Sequence, residues 1–346
     1  MNIKLALLAW LVMSVGCQRA DNAREPPESS GLDTGAGGSS GDAGASRRAA
    51  PVPMCAAGSS YGTPLPPAEN RAARLVVQSV HEWEGAVWVP TLAGLFFSEI
   101  DYETPIQSTI KALTPNGTLV AFIASSGSSG LAVAGDGQLL AAVYDAQTLA
   151  TVDLIHRTRS DLELTYQGKH FNSPRGITVR SDGNAYFSDP SSRLADGRTE
   201  LGFTGVFRIS PSNEVTLVDA ALHNPHGITL GLDEGALYVG SEDGNGAVTK
   251  YVIDADGSVH GGVHFVDAPH PTGLTMDCAG NLYAATEAGR VVVFDRSGAA
   301  VGEIGVGPRA TDVAFGGPAQ KTLFITTGVP NAALFAIDLN VPGLPN

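Results

Sequence analysis

A chain of 346 residues, 43% hydrophobic and 16% charged, can bury a sizeable core as one large domain or two medium ones. Its formal net charge of −14 repels polyanions, which excludes nucleic acid as a natural partner. Forty-two glycines and 21 prolines favour many tight turns and therefore an all-β architecture.

The first 17 residues read as an export signal. Lys4 supplies a positive start, and Leu5 to Gly16 is an uncharged run, long enough for a signal core and too short to span a bilayer. Cys17 follows Ser14-Val15-Gly16. This resembles the lipobox of bacterial lipoproteins, with Ser14 where Leu is usual. The resemblance implies lipidation at Cys17, and Gln18 after it implies an outer-membrane destination. The alternative is a plain cleaved signal and a periplasmic or secreted protein. Membrane contact is expected only through the lipid anchor, and a monomer is expected.

Residues 18–52 are Gly, Ser, Ala, Asp and Pro with almost no large apolar side chain. They cannot bury enough surface to offset the entropy of ordering, so they read as a tether. Gly37-Gly38-Ser39-Ser40-Gly41 satisfies the G-x-S-x-G pattern of serine hydrolases, but that motif needs a strand before it and a helix after it. A tether supplies neither. Once Cys17 is set aside, Cys55 and Cys278 remain in an oxidising compartment and are expected to pair.

From residue 53 to 346 the chain repeats. Gly85-Ala86-Val87-Trp88 leads to Leu95-Phe96-Phe97; Gly130-Leu131-Ala132-Val133 leads through Asp136-Gly137 to Leu139-Leu140-Ala141. Four further units begin at Gly176, Gly227, Gly273 and Val313, in steps of 40 to 51 residues. Each holds two β-rich runs joined by a turn signal, with room for two more strands. A period in the forties with about four strands per unit predicts a six-bladed β-propeller. Arg74 to Ser79 is expected to complete the last blade beside Ala333 to Leu339, closing the ring and hiding its edges.

Equivalent positions in successive blades surround one channel at one height. The residues just before the unit starts are Glu84, Ser129, Arg175, His226, Thr272 and Asp312, all polar. This ring is the candidate site; a solvated channel mouth would be polar too. His226 can titrate near neutrality and is the candidate base, with Glu84 or Asp312 to orient it. Arg175, Ser129 and Thr272 are candidate substrate contacts. Asp254-Ala255-Asp256-Gly257 and Asn116-Gly117-Thr118 read as turns rather than as a calcium loop and a glycosylation site.

Trp83-Glu84-Gly85-Ala86-Val87-Trp88, Asn172-Ser173-Pro174-Arg175-Gly176, Tyr186-Phe187-Ser188-Asp189-Pro190, Asn224-Pro225-His226-Gly227 and Pro271-Thr272-Gly273-Leu274 occur in that order. Together they resemble the senescence-marker-protein/gluconolactonase/luciferin-regenerating-enzyme-like family. The resemblance implies a divalent cation, usually calcium, in the central channel, and hydrolysis of lactones of sugars or related small molecules. Glu84 matches the first expected ligand, whereas His226 and Thr272 stand where Asn and Asp are expected, and Arg175 replaces another Asn. A retained ion would be held by Glu84, His226 and Asp312. The alternative is no metal, with Arg175 paired to Glu84 and Asp312 and itself polarising a carbonyl. Two functions follow: a lactonase-like hydrolase of a small lactone or ester, or a non-catalytic propeller that binds a ligand or a protein.

Overall fold

Each repeat unit folds into one antiparallel sheet of four strands, and the sheets number six. The computed structural model describes residues 55, 59–103, 106–194 and 199–345. The expected export signal, Cys17 and the tether at 18–52 lie outside the described residues. Within them, regular structure is strand throughout apart from one 3-10 turn at Ala68–Asn70. The innermost strands of blades one to six are Glu82–Val89, Ser128–Val133, Ile177–Val179, Ile228–Leu230, Pro271–Met276 and Ala310–Gly316. They coincide with the six repeat starts.

Strand alternation explains the packing. Successive side chains point to opposite faces of a sheet, so each blade offers one apolar face to each neighbour. Val87 and Val89 of blade one pack with Leu131 and Leu139 of blade two. Ala86 and Trp83, on the other face, pack with Ala314, Phe324 and Leu334 of blade six. The same arrangement recurs in every gap between blades, so the described core is six layers arranged in a ring.

The ring closes as the sequence predicts. Arg74–Gln78 pairs antiparallel with Ala333–Asp338, Arg74 opposite Ala336 and Gln78 opposite Ala333. The turn readings also hold. Asp254 N–H donates to Ser258 O at 2.9 Å, joining Ala247–Ile253 to Val259–Asp267. Thr114 N–H donates to Thr118 O at 2.9 Å, joining Gln107–Leu113 to Leu119–Ile123. Cys55 and Cys278 form a disulfide across a separation of 223 residues. Cys278 N–H also bonds Pro342 O at 2.8 Å, so the C-terminal segment is bound at the same place.

Candidate functional site

Four of the six ring positions lie where the ladder of the innermost strand is irregular; Arg175 and His226 lie two residues before their innermost strands. The pairing register slips between Glu84 and Val87, between Ser128 and Leu131, between Pro271 and Gly273, and between Ala310 and Asp312. A bulge turns a side chain out of strict alternation. At these positions it frees the ring residue from facing a neighbouring blade. The glycines that follow have a related cause. A Cβ on Gly130 would overlap Arg175 O of the next blade, and one on Gly273 would overlap Asp312 Oδ1. Neighbouring backbones approach most closely at the ring, so the polar-then-glycine pattern records close packing at the axis.

A cavity of ≈ 420 Å³ runs along the axis below the ring. Glu84, Ser129, Arg175, Thr272 and Asp312 contribute to its wall, with Leu131, Ile177 and Leu274 further down. Its volume falls in the range of small-molecule sites.

Glu84 is the centre of the polar network. Its Oε1 accepts from Ser129 Oγ and, at 2.5 Å, from Arg193 Nη1; its Oε2 lies 3.3 Å from Arg175 Nη2. Burial pushes the Glu84 carboxyl up, but the guanidiniums of Arg193 and Arg175 outweigh it and hold the group well below the usual carboxylate range. Oε2 is buried and makes no well-formed hydrogen bond; the Arg175 guanidinium is its counter-charge.

Asp312 accepts from Ala86 N–H at 2.8 Å and from Val313 N–H at 2.9 Å, and the residue lines the cavity. Burial pushes it up to about 7 against those two amides. His226 is placed differently. It is 5% exposed and is not part of the cavity wall. Its Nε2 lies 3.3 Å from Glu242 Oε1. Burial first, and Arg175 second, hold the His226 ring down to about 4. The same contact draws the Glu242 carboxyl down to about 2. Thr272 Oγ1 donates to Ala310 O at 2.8 Å, tying blade five to blade six.

The expected metal ligands do not fit an ion. Glu84 is engaged by two guanidiniums and a hydroxyl, Asp312 by two backbone amides, and His226 by Glu242. Among the described residues no three His, Cys, Asp or Glu side chains are grouped to hold a metal.

Sequence reasoning overlooks Arg193, Glu82, Tyr102 and Glu242. Glu242 directly follows the second strand of blade four, Ala236–Ser241. Glu287 holds the corresponding place after Leu282–Thr286, so aligning the ends of second strands would have drawn attention to Glu242. Arg193 has no counterpart in the repeat and leaves no such signal.

The sequence pattern of the SMP-30/Gluconolactonase/LRE-like region matches residues 83–329. A gluconolactonase of Zymomonas mobilis is 30% identical over 283 residues, covering 72% of this chain and 78% of its own. A pentonolactonase of Haloferax volcanii is 26% identical over 298 residues, covering 79% and 96%. The solved gluconolactonase structure from Xanthomonas campestris superposes with a TM-score of 0.70 at 25% identity, covering 82% of this chain and 99% of that one.

Proposed function

The chain belongs to the SMP-30/gluconolactonase/LRE-like family, and from that premise we propose that it is a lactonase-like hydrolase of a small lactone or ester, exported to the cell envelope. The observation that carries the reading is that Arg175, Glu84 and Asp312, from blades three, one and six, all line the one axial cavity, with Arg175 paired to Glu84.

Lactone hydrolysis needs a base for water and a cation for the developing oxyanion. Arg175 faces the cavity and supplies the cation. Asp312 lines the same space, and a carboxylate titrating at about 7 is matched to proton transfer near neutrality. In the proposed step, water oxygen bonds to the carbonyl carbon while Asp312 takes the water proton. The tetrahedral oxyanion rests on Arg175. Collapse breaks the ring C–O bond, the leaving alkoxide takes the proton back from Asp312, and a hydroxy-acid is released, which loses its carboxyl proton to solvent. Glu84, held ionised, orients Arg175. His226 lies behind the wall, so the base role read from the sequence passes to Asp312.

Attachment to the membrane through Cys17 belongs to this proposal and rests on the lipobox-like sequence. The metal that the resemblance implies has no part in the step, because its expected ligands are engaged elsewhere. One observation favours the second reading, a non-catalytic binding propeller: Glu84 is satisfied within the protein at Oε1. A panel of aldonolactones and simple esters, assayed in excess chelator, decides between them. The hydrolase predicts turnover that Arg175→Gln abolishes. Binding of a lactone without turnover would establish the second reading.

A further inference from the structure

Arg193 is a charged side chain in an unusual place. It lies in the connection between Ala185–Asp189 and Gly205–Ile209 of blade three, yet its guanidinium is spent on blades one and two. Only 5% of its side chain is exposed. Nη1 lies 2.5 Å from Glu84 Oε1 and 2.9 Å from Ser129 Oγ. Nη2 lies 3.6 Å from Glu82 Oε1 and 3.2 Å from Tyr102 Oη. The rings of Tyr102 and Tyr144 stand 5.9 and 5.6 Å from its carbon centre. Tyr102 Oη in turn donates to Glu82 Oε1 at 2.8 Å.

Among the described residues the cage around Arg193 is therefore four oxygens, two of them from carboxylates that are themselves buried. Hard oxygen donors bearing two negative charges are what a divalent cation seeks. Two buried carboxylates that meet at one place need cationic charge beside them to stay ionised. The chain meets that requirement from its own sequence. Arg175 on the far side of Glu84, and Arg309 on the far side of Glu82, complete the neutralisation.

We propose that Arg193 is a built-in cation that occupies, on Glu84 and Glu82, the place a divalent ion would otherwise take. The protein is consequently indifferent to divalent metal, and removing the guanidinium converts the Glu82, Glu84, Ser129 and Tyr102 cage into a divalent-cation site. The inference shares Glu84 with the proposed function but is read by metal binding rather than by turnover.

The test is calcium binding to the full-length protein and its Arg193 variants. Wild type should carry no stoichiometric calcium by elemental analysis, and millimolar calcium should leave its melting temperature unchanged. Arg193→Ala should melt lower in chelator and recover by about 5 °C when calcium is added, saturably. Arg193→Lys keeps a charge in the cage and should not respond. If Arg193→Ala does not fold, Arg193→Gln, which removes the charge and keeps most of the volume, takes its place, and the wild-type measurement stands by itself. One calcium held per wild-type chain overturns the proposal. So does a folded, neutral variant that calcium leaves unchanged. A calcium-dependent lactonase would overturn this inference while sparing the hydrolase reading. A calcium-indifferent protein that hydrolyses no lactone would do the reverse.

Discussion

Asp312 and His226 make opposite predictions for the pH dependence of hydrolysis. A general base acts in its deprotonated form, so kcat/KM rises with pH through the pKa of the true base. Burial pushes Asp312 up to about 7 and holds His226 down to about 4. On those values only about 1% of Asp312 is ionised at pH 5, against about 90% at pH 8, so kcat/KM should fall roughly 100-fold between pH 8 and pH 5. Were His226 the base, about 90% of it would still be neutral at pH 5, and the rate would fall by only about a tenth. Initial rates on one lactone in mixed buffers, with spontaneous hydrolysis subtracted, read the difference. Asp312→Asn should remove the limb and cost about 10²- to 10⁴-fold in kcat. His226→Gln should leave the limb in place. A flat profile down to pH 5, with the limb lost only in His226→Gln, refutes the assignment of Asp312.

The same displacement has a consequence for stability. An acid whose pKa is raised on folding binds its proton more tightly in the native state, so stability falls as pH rises from the unfolded value near 4 to the folded value near 7. The loss is at most about 4 kcal/mol at 1.36 kcal/mol per unit. Asp189, also raised to about 7 by burial, adds a slope of the same sign. Only the difference between wild type and Asp312→Asn therefore isolates Asp312. Urea unfolding at pH 5 and pH 8 should show a smaller pH difference in the variant.

Gly130→Ala should cost about 1–3 kcal/mol by urea unfolding, because the added methyl meets Arg175 O of the next blade; unchanged stability would refute the close approach at the ring. Cys278→Ser should lose roughly 2–4 kcal/mol, and thiol counting on denatured, unreduced wild type should find neither Cys55 nor Cys278 free. A truncation beginning at Pro53 should melt with the full chain, and a drop of many degrees would show that residues 18–52 do more than link. Cys17→Ser should move the protein from the membrane fraction to the soluble one; retention on the membrane would remove the lipid anchor from the proposal.

The propeller was legible because its evidence is local and repeated. Six runs of alternating apolar residues, each broken by a turn such as Asp136-Gly137 or Asp182-Gly183, specify six hairpins without reference to one another. Positive φ at Gly137 and Gly183, 81° and 87°, is the conformation such turns require. Five of the six ring residues were visible for a related reason: each precedes a glycine that the approach of the next blade demands. Rotation about one axis then carries a sequence position to a fixed height, so the convergence of Glu84, Ser129, Arg175 and Asp312 could be expected before any contact was known.

Which of these groups lines the cavity and which lies behind it was not readable, because the direction of each side chain depends on the partners that the closed ring brings to it. His226 and Asp312 hold equivalent places in the repeat. Yet one turns to Glu242 on its own blade, and the other bridges to Ala86 N–H of blade one. Arg193 was wholly hidden. It sits 109 residues from Glu84, in a connection that no other blade repeats. Local patterns fix what recurs in every blade. The partner of a lone buried charge is fixed only when the closed ring brings unrelated loops over the same axis.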